Sequence, residues 1–167
     1  MRGWLRGCVV ALLLMLGVCG WAFWRIGEPS RRATLARAQI RTGMTPRDVF
    51  AVSGQWWRAW GSDCGGAVEP LASYAVNGAG DAGQLVLTRR KPGAAPDATA
   101  LDAFDSEQKA YASRAELLRL IEETKALSSC KQVGFNYLVP GVPPRVSLSV
   151  FFEGGKVTRL SEPRSWD

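Results

Sequence analysis

The segment from Ile40 to Gly54 constrains this chain most, because it carries the start and stop signals of a short helix within a few residues. Thr45 is placed as an N-cap, and Pro46 follows at the first helical position, where a missing N–H costs nothing. Asp48, two residues further, suits the positive end of the helix dipole and can receive a first-turn amide. Met44 before the cap and Val49 at the fourth helical position are set for a hydrophobic staple. Gly54 supplies the left-handed residue that closes the helix. A helix opening at Glu28-Pro29-Ser30, with Ser30 as its cap, is expected to run to Gly43. It carries Leu35, Ala36 and Ile40 on one side and Arg31, Arg37 and Arg41 on the other.

Upstream, residues 7–24 form a run without a charged residue, bracketed by Arg6 and Arg25, with Trp4, Trp21 and Trp24 near its ends. As a helix this run measures about 27 Å, enough to cross a hydrocarbon layer about 30 Å thick, and the tryptophans suit its interfaces. The expectation is an uncleaved single-span anchor. Cleavage at the small-x-small site of Gly20 and Ala22 would instead release a secreted protein. Lipidation at Cys19, which ends Leu16-Gly17-Val18-Cys19, is the third alternative. The basic residues after the run (Arg25, Arg31, Arg32, Arg37, Arg41) suit anionic headgroups as well as an ordinary solvated helix face. Counting Lys and Arg alone, they would hold the domain in the cytoplasm. A short basic segment ahead of an apolar run is the layout of export, and Cys64 and Cys130 are a pair that an oxidising compartment would bridge. Such a bridge over a long loop contributes roughly 4 kcal/mol in the chain-entropy model. Two unrelated free thiols are the alternative. The balance places the domain outside the cytoplasm.

The expected division is an anchor or signal segment over residues 1–27 and one α+β domain over residues 28–167, long enough to bury a core. Leu71 to Asn77 and Gln84 to Arg90 have strand character, with turn residues between them, and Lys91 to Ala100 is a surface loop. Ser62 to Pro70 is another loop. Ser113-Arg114-Ala115-Glu116 is a capping box opening a helix to about Leu127, with Leu117 and Ile121 on its apolar stripe. The segment Lys109 to Ala112 is open between strand and helix. Gly134 to Val139 is a strand. Val146, Leu148, Val150 and Phe152 alternate with Ser147, Ser149 and Phe151, and after the turn Glu153-Gly154-Gly155-Lys156 the chain returns antiparallel through Val157.

The chain has no histidine and a formal net charge of +6. Nucleophile pairs that need imidazole and the usual zinc sites are therefore excluded. No cofactor motif is present, since the Gly-x-Gly of Gly78 to Gly80 lacks the lysine and helix of a phosphate loop. The basic residues do not interleave with aromatics in a nucleic-acid module, so nucleic acid is not the expected partner. Trp56, Trp57 and Trp60 are more tryptophan than one small core absorbs, which makes them candidate partner contacts. Packing beneath the sheet is the alternative. With Arg58, Asp63 and Glu69 they would otherwise line a small-ligand or enzyme pocket.

Ile40-x-x-Gly43-Met44-Thr45 with Val49 and Gly54, and Phe152-x-x-Gly155-Lys156-Val157, resemble the SmpA/OmlA (BamE-like) family of small envelope proteins. The same unit is found in the β-lactamase inhibitor protein. The resemblance implies two short helices packed on an antiparallel sheet, here with one additional helix, and a non-catalytic binding or scaffolding role in the envelope. Its partner would be another envelope protein.

Overall fold

The computed structural model describes residues 2–62, 64, 68–74, 82–93, 104–125, 127–139 and 142–166. Its first element, α1 (Arg2–Gln39), is one helix of 38 residues. The break expected at Glu28-Pro29-Ser30 is absent: anchor and first domain helix are a single rod, and Ser30 caps nothing. Proline inside a helix forfeits one backbone hydrogen bond and crowds the preceding turn. Two local features offset that loss. Glu28 accepts from both Arg31 and Arg32 across the next turn, the latter at 2.8 Å. Pro29 is also fully buried and begins a stripe with Ala33, Ala36 and Ile40. The spacing of these four keeps them on one helix face, and the two alanines permit close approach to the sheet. Burial opposes the Glu28 carboxylate, but the hydrogen bonds and charges of Arg32 and Arg31 hold its carboxyl below the usual range.

The N-terminal half of α1 is different. Val10, Leu12 to Leu16, Val18, Trp21, Phe23 and Trp24 are all more than half exposed, and no other element covers them. A helix this long and apolar is sufficient to cross a membrane. Arg25 lies over the Trp21 ring and Arg31 over the Trp24 ring, each 5.0 Å from the centroid.

After α1 the chain turns at Gly43, whose φ of +87° is the left-handed conformation that glycine adopts freely. Then α2 (Pro46–Val52) begins as its sequence requires. The Thr45 hydroxyl accepts from the Asp48 amide at 3.3 Å, and the Asp48 carboxylate accepts from the Thr45 amide at 3.0 Å, closing a reciprocal capping box. These bonds to Thr45 hold the Asp48 carboxyl below its ordinary value. Gly54, with φ +69°, follows the helix as expected.

The strands form an antiparallel sheet in the order β4-β3-β2-β1-β5-β6-β7, with β8 paired to β6 beyond the end of β7. They are β1 (Arg58–Ser62), β2 (Val68–Tyr74), β3 (Gly83–Arg90), β4 (Phe104–Tyr111), β5 (Gln132–Val139), β6 (Val142–Glu153), β7 (Lys156–Leu160) and β8 (Arg164–Trp166). The third helix, α3 (Arg114–Thr124), lies between β4 and β5 in sequence. The sheet is therefore two meanders joined where β1 pairs β5. Ala59, Phe135 and Leu148 lie side by side on one face, and the same face carries Leu85, Val133, Val150, Phe152 and Val157. All of these are buried, and α1 packs against β5 and β6 on this side.

Several boundaries differ from the sequence expectation. The tryptophan-rich stretch contributes a central strand, β1, because its small residues Ala59 and Gly61 face the core. Strand β2 starts at Val68, within the expected loop from Ser62 to Pro70. The undecided segment Lys109 to Ala112 belongs mostly to β4. The Ser113 hydroxyl accepts from Glu116 at 3.2 Å, but the Glu116 carboxylate bonds the Ala112 amide, one residue before the cap. α3 ends at Thr124, with Lys125 in the left-handed region, short of Leu127. Residues 75–77 of the strand expected from Leu71 to Asn77, the turn residues 77–81 and residues 94–100 of the expected loop lie outside the described residues.

The elbow between α1 and α2 is fastened to the closing hairpin. The Gly43 amide donates to the Val157 carbonyl at 2.8 Å, and the Val157 amide donates to the Met44 carbonyl at 2.9 Å. Thr45→Ala removes one half of the capping box and should lower stability by about 1 kcal/mol in chemical denaturation. Because the Asp48 carboxyl is held low in the folded state, its contribution is complete above the ordinary carboxylate value of 3.8 and is lost as pH falls through the depressed folded value. Asp48→Asn should flatten that part of the stability profile, measured by denaturation across acid pH.

Candidate interaction surface

The three tryptophans do three different things. Trp56 is buried, 3 % exposed, and meets the rings of Phe50 and Phe135 at centroid separations of 5.7 and 5.9 Å. Its indole N–H donates to the Ser53 hydroxyl at 2.9 Å, and that hydroxyl donates to the Phe50 carbonyl at 3.1 Å. The Tyr137 hydroxyl donates to the Ser53 carbonyl at 2.8 Å. Ser53 has no solvent exposure, so these bonds satisfy polar groups that would otherwise be costly to bury. Burial pushes the Tyr137 phenol far above its usual range. Trp56 is thus a core residue here and presents no surface to a partner.

Trp57 and Trp60 are half-buried. The Trp57 amide donates to the Asn136 carbonyl at 2.8 Å, which extends the β1–β5 ladder by one bond. Trp60 projects from the sheet face opposite the helices. It pairs with Gly134, and its indole lies across that glycine: a Cβ placed there would come within 2.3 Å of the ring. Glycine at 134 therefore makes room for Trp60. The same face carries Gln132, whose amide donates to the Ser149 hydroxyl at 3.1 Å, and Phe151, covered by the Arg159 guanidinium at 4.1 Å. Trp166, exposed and donating to the Ser147 hydroxyl at 2.7 Å, completes it. The face combines flat aromatic rings with neutral polar groups and arginines, a composition suited to protein contacts.

Cys64 and Cys130 are bonded. Their position follows from the ladder: Ser62 pairs with Gln132, so the residues just past β1 and just before β5 are brought together. The Ser129 hydroxyl donates to the Cys64 carbonyl at 3.1 Å beside them. The bridge ties the root of the whole β2–β3–β4–α3 excursion. Cys19 is free and exposed on α1.

Of the groups considered for a pocket, Arg58 is exposed on β1, Glu69 is on β2, and Asp63 lies outside the described residues. The described cavities are elsewhere. One of about 220 Å³ lies between α2 and α3, lined by Thr45, Pro46, Arg47, Ile121, Glu122 and Lys125. The other, about 330 Å³, lies beside the Cys130 loop and the β6–β7 turn. Among the described residues no cluster of three or more Cys, Asp or Glu is placed to hold a metal.

No protein-family model matches the chain, and neither the curated proteins nor the solved structures yield a match.

Two outcomes test this surface. Gly134→Ala should lift the Trp60 indole from the sheet while preserving the fold, seen as a shifted indole resonance in NMR spectra. Reducing Cys64–Cys130, which spans 66 residues, should lower the denaturation free energy by about 4 kcal/mol, since a loop of that size loses much closure entropy.

Proposed function

We propose that the chain is a non-catalytic cell-envelope protein, held by α1 in a membrane, whose domain binds another protein on the oxidising, periplasmic side. The observation that carries this reading is the Cys64–Cys130 disulfide in a chain with one membrane-length N-terminal helix. The capped elbow packed beside an antiparallel sheet supports a likeness to the SmpA/OmlA family, with the motif residues Gly43, Met44 and Val157 meeting in two backbone hydrogen bonds. This domain is larger than the simple two-helix unit of that family. Its extra strands β2 to β4 and helix α3 form an insertion closed by the disulfide, and α1 runs unbroken into the anchor. The partner surface in this reading is the outer sheet face with Trp60 at its centre.

Alkylation of intact cells without reductant should leave Cys64 and Cys130 unmodified. Ready alkylation would instead put the domain in the cytoplasm. Crosslinking in intact cells should then recover an envelope protein, and Trp60→Ala should reduce that recovery several-fold with little change in melting temperature. A matching loss of fold and recovery would make Trp60 structural.

A further inference from the structure

The unbroken α1 fixes which end of the domain faces the bilayer. Ile40 lies beside the elbow bonded to Val157, and Val157 pairs with Phe152 near the end of β6. Arg37 donates to the Ser161 carbonyl at 3.2 Å, and the Ser161 amide donates to the Ser149 carbonyl at 2.8 Å. Going back along α1 from Ile40 to Arg37 therefore means going back along β6 from Phe152 to Ser149. The two elements run parallel. From Ile40 to Pro29 the helix climbs roughly 17 Å, which corresponds to about five residues of strand and reaches the neighbourhood of Val146. Arg25, one turn further, is then level with the start of β6.

Arg145 lies at that level, three residues inside the start of β6, and β8 pairs there: Arg145 with Trp166, Ser147 with Arg164. Arg58 lies in the row of Ser147, across Asn136. Strand alternation puts Arg58, Arg145, Arg164 and Trp166 on the same outer face. Arg58, Arg145 and Arg164 take part in none of the ion pairs among the described residues. Trp166 is 59 % exposed. Unpaired arginines around an exposed indole, level with the cationic end of a membrane-length helix, have the chemistry of an interfacial anchor.

Resting on the reading of α1 as a membrane span, we propose that the rim formed by Arg58, Arg145, Arg164 and Trp166 docks on anionic lipid headgroups of the same membrane. The guanidinium groups engage the phosphates while the Trp166 ring enters the interface. Docking lays the domain against the bilayer with the β6–β7 turn pointing away, about 26 Å of strand beyond Arg145.

The test uses the full chain in lipid nanodiscs, in a Cys8→Ala, Cys19→Ala background that keeps the disulfide. A fluorophore is attached at Ser165→Cys beside the rim or at Glu153→Cys at the distal turn, with a quencher on the lipid headgroup. In discs of mixed phosphatidylglycerol and phosphatidylcholine, the label at 165 should be quenched several-fold more than the label at 153. Pure phosphatidylcholine, or Arg145→Glu with Arg164→Glu, should remove most of that difference. Equal quenching at both positions, or quenching indifferent to lipid charge, overturns the docking. Washing cell membranes with alkaline carbonate separates this failure from that of the span: a chain released by the wash overturns both readings, whereas a retained chain with equal quenching overturns the docking alone.

Discussion

The pairing of β1 with β5 holds the two halves of this domain together. Five residue pairs from Arg58–Asn136 to Ser62–Gln132 join the meander β1 to β4 to the meander β5 to β7. Everything else is arranged about that seam. Its inner side stacks Ala59 against Phe135, its outer side lays Trp60 over Gly134, and its end is locked by Cys64–Cys130. Each strand at the seam lies far in sequence from its partner, so the contact is entropically expensive to form. The disulfide offsets that cost where it is greatest, because it closes the same loop.

Local chemistry made much of this fold legible. Thr45, Pro46, Asp48 and Gly54 act through neighbours a few residues away, and α2 has the limits they set. Ser113 marks α3 equally well. The alternation from Val146 to Phe152 reports burial on one face and holds because β6 lies in the middle of its half of the sheet. The α+β class and the cysteine pairing followed from the same kind of reading.

What sequence reasoning missed depends on distant contacts. Pro29 is a helix breaker by its own chemistry, but the sheet against which it is buried lies more than a hundred residues further along the chain. A proline's fit to a remote surface has no local signature. β1 was obscured for a similar reason. Its inward residues are Ala59 and Gly61, too small to register as an apolar strand, while its bulkiest residue, Trp60, points outward onto a glycine, Gly134, in a strand far along the chain. The three tryptophans form one cluster in the sequence, and the structure divides it: Trp56 to the core, Trp60 to the opposite face.

The continuity of α1 has a mechanical consequence. A helix whose bare half and packed half share one cylinder couples the two, so in a membrane a reorientation of its apolar half would carry over to the sheet, with the turn that Pro29 leaves one hydrogen bond short as the place where the shaft can bend. Transmembrane helices tilt by about 20° on average, and a swing of that size, acting over about 26 Å, would displace the far hairpin by roughly 9 Å. Membrane thickness or lateral packing around the shaft would thereby become a height and angle at the opposite pole of the molecule. A tether of glycine and serine would have dissipated that signal.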